Sequence, residues 1–295
     1  MDIKYFLKGS AAVVLSAAVC MGALTGCHSK KADEATTENA ETTVADIAPE
    51  TTLPAIQENT TAAEPYIADP LENLHRIPGQ VVESPRVDKS YFDDVAFVGD
   101  SISNYLGYYA TANGALGNAQ FLTSGSLSAT NALWEISDKS VHPRYNGVKM
   151  LVEDAVAASG AKKLYIMLGM NDLGINTLEE AEQKYRTLLD KIIAKSPGIQ
   201  ICIESMTPML RTERALTDQY LNNTNIAAYN ERLSKMCQEK GWSFINVASV
   251  FYAEDGFLKP EFCSDPTSMG IHPSNAGCDR WIDYLYTHTP QAEVG

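Results

Sequence analysis

The sequence predicts an α/β domain built on a mostly parallel sheet with helices on both faces. Three observations predict it. Short apolar runs alternate with amphipathic stretches five times between about residues 95 and 288, the pattern of right-handed crossovers. The runs are continuous rather than alternating in polarity, as strands covered on both faces require. The stretch that carries them, residues 86–290, is about 200 residues long and suits one domain.

The first element, residues 1–26, reads as a targeting segment. Lys4 and Lys8 form a short basic region, and Gly9 to Leu24 is apolar or small throughout. At about 16 residues it is short for a spanning helix, which needs roughly 20. Leu24-Thr25-Gly26-Cys27 follows, and this tetrapeptide resembles the bacterial lipobox. The resemblance implies cleavage before Cys27 and a diacylglyceryl thioether on it, which would hold the mature chain stably on the outer face of a membrane. Residues 27–85 are expected to form a disordered stalk. To about Leu71 this segment is rich in Thr, Ala, Glu and Pro and has almost no large apolar residues, too little to offset the entropy of ordering.

Within the domain, Val95–Gly99 reads as a buried strand and Ser101–Ala112 as a helix ending near Gly114. Ala119–Thr123 is a second strand, followed by the turn Ser124-Gly125-Ser126. Val148–Ser159 is amphipathic and stops at Gly160. Lys163–Leu168 is the clearest strand, and Leu178–Lys195, stopped by Pro197 and Gly198, the clearest helix. Ile199–Ser205 is a strand, Ile226–Lys240 a helix ended by Gly241, Trp242–Val247 a strand, and Ser274–His288 the closing helix.

Ligands of open parallel sheets bind beyond the carboxyl ends of the strands, which singles out three segments. Gly99-Asp100-Ser101 places a hydroxyl at a strand-to-helix turn, beside the partial positive charge of a helix N-terminus. Leu168-Gly169-Met170-Asn171-Asp172 ends the third strand with an amide that can donate to an oxyanion without titrating. Ile271-His272-Pro273-Ser274 supplies an imidazole just before the last helix, a general base near neutral pH.

In this order these segments resemble the SGNH (GDSL-like) hydrolases, from Val95 to about Leu285. The resemblance implies a flavodoxin-like three-layer fold, Ser101 as nucleophile and His272 as base. It also implies an oxyanion hole made by the Ser101 and Gly125 backbone N–H groups and the Asn171 amide, with Asp172 supporting that loop. No metal or organic cofactor is required. The family's Asp-x-x-His places an acid where this chain has Met269, and losing that acid can cost about 10⁴ in turnover. Three readings follow: first a backbone carbonyl near Met269 that leaves a Ser-His dyad, second Asp265 folded back on the Pro266–Gly270 loop, and last a dead site. Retention of Ser101, Asn171 and His272 together argues against the last.

Of six cysteines, Cys202, Cys237, Cys263 and Cys278 remain in the domain. Either four buried thiols or disulfides fit an extracytoplasmic setting, and a Cys263–Cys278 bridge would fix the His272 loop, contributing about 3 kcal/mol. Tyr105, Tyr108 and Tyr109 fit a pocket or the core equally well. The net charge of −14, which becomes −15 once residues 1–26 are removed, argues against nucleic acid.

The expected function is that of an extracytoplasmic serine esterase acting on an acylated, most simply acetylated, glycan. Lysophospholipase or short-chain esterase activity is the alternative within the class. Outside it stands a non-catalytic glycan-binding lipoprotein.

Overall fold

The computed structural model describes residues 65–290. The targeting segment, Cys27 and the linker up to residue 64 lie outside the described residues. In chain order the elements are β1 (Val95–Gly99), α1 (Ser101–Asn113), β2 (Gln120–Thr123), α2 (Ala129–Ala132), β3 (Arg144–Tyr145), β4 (Val148–Lys149) and α3 (Val152–Ser159). Then come β5 (Lys163–Met167), α4 (Met170–Leu173), α5 (Leu178–Lys195), β6 (Gln200–Glu204), α6 (Glu213–Thr217), α7 (Asn223–Lys240), β7 (Ser243–Ile245) and α8 (Asn275–Thr287).

Five strands form one parallel sheet in the order β2-β1-β5-β6-β7. Counting only sheet strands this is 2-1-3-4-5, the doubly wound order in which the chain leaves β1 in one direction and later returns on its other side. The switch point therefore lies between β1 and β5, in register from Val95 opposite Lys163 to Gly99 opposite Met167. The strands are almost wholly buried, which is why their sequences are continuous apolar runs. Helix α3 packs on α5 and α5 on α7, while α1 packs on α8. Their apolar faces close a single core that contains Phe97, Tyr165, Leu189, Ile203, Tyr229 and Trp281.

The helix ends follow local chemistry. Thr177 and Glu180 form a reciprocal capping box at the start of α5, Asn222 caps α7, and Ser274 caps α8. These caps place the α7 and α8 boundaries within a few residues of those the sequence predicts.

Two boundaries differ. The helix expected from Val148 begins at Val152, because Val148 and Lys149 pair with Tyr145 and Arg144 in a two-stranded ribbon. Asn146 and Gly147 turn the ribbon at φ +47° and +78°, the left-handed pair that tight hairpins require. The stalk expected to run to residue 85 is ordered from Pro65. The backbone N–H of Val81 donates to the Phe244 carbonyl, and that of Ser84 to Thr287. Tyr66, Ile77 and Val81 pack against the core, and the Tyr66 hydroxyl joins Glu72 and Arg280. A few well-placed apolar residues and satisfied backbone groups outweigh the polar composition there.

Candidate active site

Ser101 is the first residue of α1, directly beyond β1. Gly99 makes this abrupt turn possible: a Cβ there would stand 2.1 Å from the Ser103 hydroxyl. Asp100 caps the helix, its Oδ1 accepting the Ile102 N–H at 2.9 Å. As the first helical residue, Ser101 has a backbone N–H with no intrahelical acceptor, so that donor faces the carboxyl edge of the sheet together with the hydroxyl.

His272 reaches this point from a loop 171 residues further along. Its Nε2 stands 2.9 Å from the Ser101 hydroxyl, and its Nδ1 stands 2.8 Å from Asp265 Oδ2. Asp265 Oδ1 also accepts the backbone N–H groups of Ile271 and His272, both at 3.0 Å, and the Cys263 thiol at 3.4 Å. Burial alone would push the Asp265 carboxyl upward; the bonds from the His272 ring and backbone outweigh it and hold the group below its ordinary range.

The loop that achieves this is self-contained. An isolated antiparallel bridge joins Cys263 to Pro273, the Ser264 N–H donates to the His272 carbonyl, and Gly270 turns at φ +67°. The N–H groups of Ser268 and Gly270 both return to the Asp265 carbonyl. The sequence reading placed a backbone carbonyl first and Asp265 second as partner of His272. The structure reverses that order: Asp265 occupies Nδ1, and Met269 packs against the core. A seven-residue separation is bridged because the loop closes on itself.

Asn171 follows β5 in the short helix α4, across the switch point from Ser101. Gly169, at φ +145°, makes the turn, and a side chain there would collide with Met206 at 2.0 Å. The Asn171 amide donates to Asp100 Oδ2 at 3.2 Å and to the Leu127 carbonyl at 3.1 Å. Both bonds are at the long end of the normal range, so one of these N–H donors is readily redirected to a stronger acceptor. In the sequence Asp100 stands out only as the residue between Gly99 and Ser101. Its second oxygen makes it a positioning group for Asn171, and complete burial pushes its carboxyl up to about 6, with His272 opposing and Asp172 reinforcing the rise.

Gly125 lies in the exposed turn after β2, and among the described residues its N–H donates to no protein acceptor. No atom lies within 4 Å of a Cβ built on it, so space does not dictate glycine there. Asp172 holds the segment that follows, accepting the backbone N–H groups of Ala129 and Thr130 at 2.9 Å and the Thr130 hydroxyl at 2.7 Å. That is the loop-supporting place the resemblance implied for it.

Cys263 and Cys278 are both free and buried, as are Cys202 and Cys237. The expected alternative of a 263–278 bridge is therefore not what fixes the His272 loop. Hydrogen bonds to Asp265 hold the loop instead, and burial pushes the Cys263 thiol up to about 11. Among the described residues no cluster of His, Cys, Asp or Glu is arranged to hold a metal ion.

The GDSL-like Lipase/Acylhydrolase family model matches residues 97–280, the whole stretch from β1 into α8. The chain belongs to this family. Membership makes it a hydrolase of the acyl ester class. Its five-stranded parallel sheet with helices around it is the α/β fold of SGNH hydrolases.

Among solved structures, a Bacteroides fragilis protein assigned as an acylhydrolase is 17% identical, covering 74% of this chain and 96% of its own, at a TM-score of 0.48. A GDSL-like lipase from Bacteroides thetaiotaomicron is 15% identical, over 68% and 88%, at 0.47. An acetyl xylan esterase is 14% identical, over 65% and 97%, at 0.45. Identities this low say nothing about the substrate of this chain. No curated protein is a significant match to the sequence.

Proposed function

We propose that this GDSL-family hydrolase is an extracytoplasmic serine esterase that removes a short acyl group, most simply acetyl, from a glycan. The single observation that carries the catalytic part is the unbroken relay from Asp265 Oδ2 through both His272 nitrogens to the Ser101 hydroxyl, with links of 2.8 and 2.9 Å.

In this mechanism His272 Nε2 takes the hydroxyl proton as Ser101 Oγ bonds to the ester carbonyl carbon, and the carbonyl π pair moves to oxygen. The Ser101 and Gly125 N–H groups and one Asn171 amide proton receive the oxyanion, the amide leaving Asp100 or the Leu127 carbonyl to do so. Apo hydrogen bonds of this length commonly tighten or exchange in the reacting complex. Collapse breaks the bond to the alcohol oxygen, which leaves with the proton from His272. Water, deprotonated in turn by His272, then attacks the acyl-Ser101 carbonyl, and the second collapse frees the acid and restores the hydroxyl. Asp265 stays ionised throughout, fixing the tautomer that keeps Nε2 available and stabilising the imidazolium.

The location rests on the sequence of residues 1–27, where basic region, apolar region and lipobox stand in order. Membrane attachment through a lipid on Cys27 follows from the same reading. The glycan assignment follows from the compartment.

A fluorophosphonate probe tests the catalytic reading. It should label Ser101 in the wild-type protein and not in Ser101→Ala, with p-nitrophenyl acetate turned over in parallel. Absence of both labelling and turnover would leave a non-catalytic binding protein as the better account. Lipid incorporation lost in Cys27→Ala tests the anchor.

A further inference from the structure

A groove of about 850 Å³ opens beside the Ser101 turn. Ser124 and Gly125 of the oxyanion loop line one part of it, and Asn104, one turn along α1 from Ser101, lines another. The ribbon β3–β4 and the segment before it form the opposite wall through Ser140, His142, Arg144 and Lys149.

The charge of this groove runs against that of the chain. A protein with a net charge of −14 places no carboxylate among the lining residues, yet places an arginine and a lysine there. Arg144 uses one Nη to donate to the Gly147 carbonyl at 2.8 Å. Lys149 donates to the carbonyls of Ser137, Asp138 and Ser140 at 2.8, 3.1 and 2.8 Å. Neither makes a salt bridge among the described residues, although ten other lysines and arginines do. The carbonyl bonds hold Lys149 in place without neutralising it.

His142 gives a second, independent sign. It is 3% exposed, and neither ring nitrogen has a hydrogen-bond partner. Buried polar atoms are rarely left so unless something else supplies the bond. Across the groove Tyr108, 72% exposed, offers an aromatic face of the kind sugar rings lie on.

We propose that this groove is a subsite for an anionic acylated glycan. A carboxylate or phosphate of the substrate pairs with the free guanidinium edge of Arg144 in the field of Lys149. A neighbouring hydroxyl or its bridging water reaches His142, and the acyl ester lies over Gly125 toward Ser101. The proposal rests on the reading of Ser101 as the nucleophile, because that reading gives the groove its reacting end.

Direct binding to the full chain in detergent tests it, using trigalacturonate as a carboxylate probe, a short poly(glycerol phosphate) as a phosphate probe and xylotriose as the neutral control. At least one anionic probe should bind about tenfold or more tightly than xylotriose, and the preferred one identifies the anion. That preference should weaken with added salt, fall about tenfold in Arg144→Gln and largely return in Arg144→Lys. Equal affinity for anionic and neutral probes, or an unchanged preference in Arg144→Gln and Arg144→Glu, would overturn the proposal. Fluorophosphonate labelling of the same samples separates the two readings. Anion binding without labelling upholds the subsite and removes the esterase, whereas labelling without anion preference removes the subsite alone.

Discussion

Replacing Asp265 separates what its carboxylate does for the base from what it does for the fold. Oδ2 faces the His272 ring, while Oδ1 accepts two backbone N–H groups and a thiol. Asp265→Asn can keep the Oδ1 side, since an amide oxygen accepts the same two N–H bonds, but its NH₂ presents a donor to Nδ1 and favours the wrong tautomer. Turnover should fall by about 10³–10⁴, or roughly 4–5.5 kcal/mol of transition-state stabilisation, with stability changed by no more than about 1 kcal/mol. Asp265→Ala should lose as much turnover and in addition unfold more easily by about 2–4 kcal/mol, because both N–H groups lose their acceptor in a loop that water reaches only in part. The two variants also differ from wild type in acid. The carboxyl is held below its usual range, so its stabilising contribution is present above that range and disappears as pH falls through the lowered value. That acid-sensitive component should vanish in Asp265→Asn. The assays are p-nitrophenyl acetate turnover and thermal melts from pH 3 to 8. If Asp265→Asn keeps turnover within tenfold of wild type, Asp265 does not orient His272, and a backbone partner must be sought.

Other changes test other parts of the reasoning. Asn171→Ala should lower kcat by about 10²–10³ with little change in KM, as expected for a donor used mainly in the transition state; a pure KM effect would contradict the oxyanion role. Glu204, wholly buried with its Oε2 accepting the Trp281 indole N–H at 2.7 Å, is pushed up to about 7 by that burial. Ionising it therefore destabilises the fold, and wild type should lose up to about 3 kcal/mol as pH rises from roughly 4.5 to 7. Glu204→Gln keeps the acceptor and should flatten that slope and raise Tm at pH 8; an unchanged slope in denaturant titrations would refute it. Truncation before Pro65 should leave Tm unaltered, whereas truncation before Arg86 should cost several kcal/mol by removing the bonds to Phe244, Thr287 and Arg280. Equal melting of the two truncations would return residues 65–85 to the linker.

Much of the site was legible because chemistry-bearing residues at strand ends are local features. Ser101 and Asn171 each stand a few residues beyond an apolar run, and His272 stands just before a capped helix. Asp265 was legible only as one of three options, since its place depends on the closure of the 263–273 loop. Asp100 was given no role of its own because its partner Asn171 is 71 residues away. The basic groove went unseen, although Asn146-Gly147 between Tyr145 and Val148 is a recognisable hairpin signal that would have corrected the start of α3.

The sequence by itself determined the kinds of elements, their order, and which reactive side chains stand at their ends. Apolar periodicity and caps act over a few residues, and a linear reading can follow them. Only the tertiary structure decided that β1 and β5 are neighbours with the switch point between them, that a loop folds Asp265 onto His272, and that Ser101 meets the imidazole of His272, 171 residues away. Those choices depend on how helices of two layers cover the sheet and how a loop satisfies its own backbone groups, interactions between segments whose separation along the chain carries no trace of their contact.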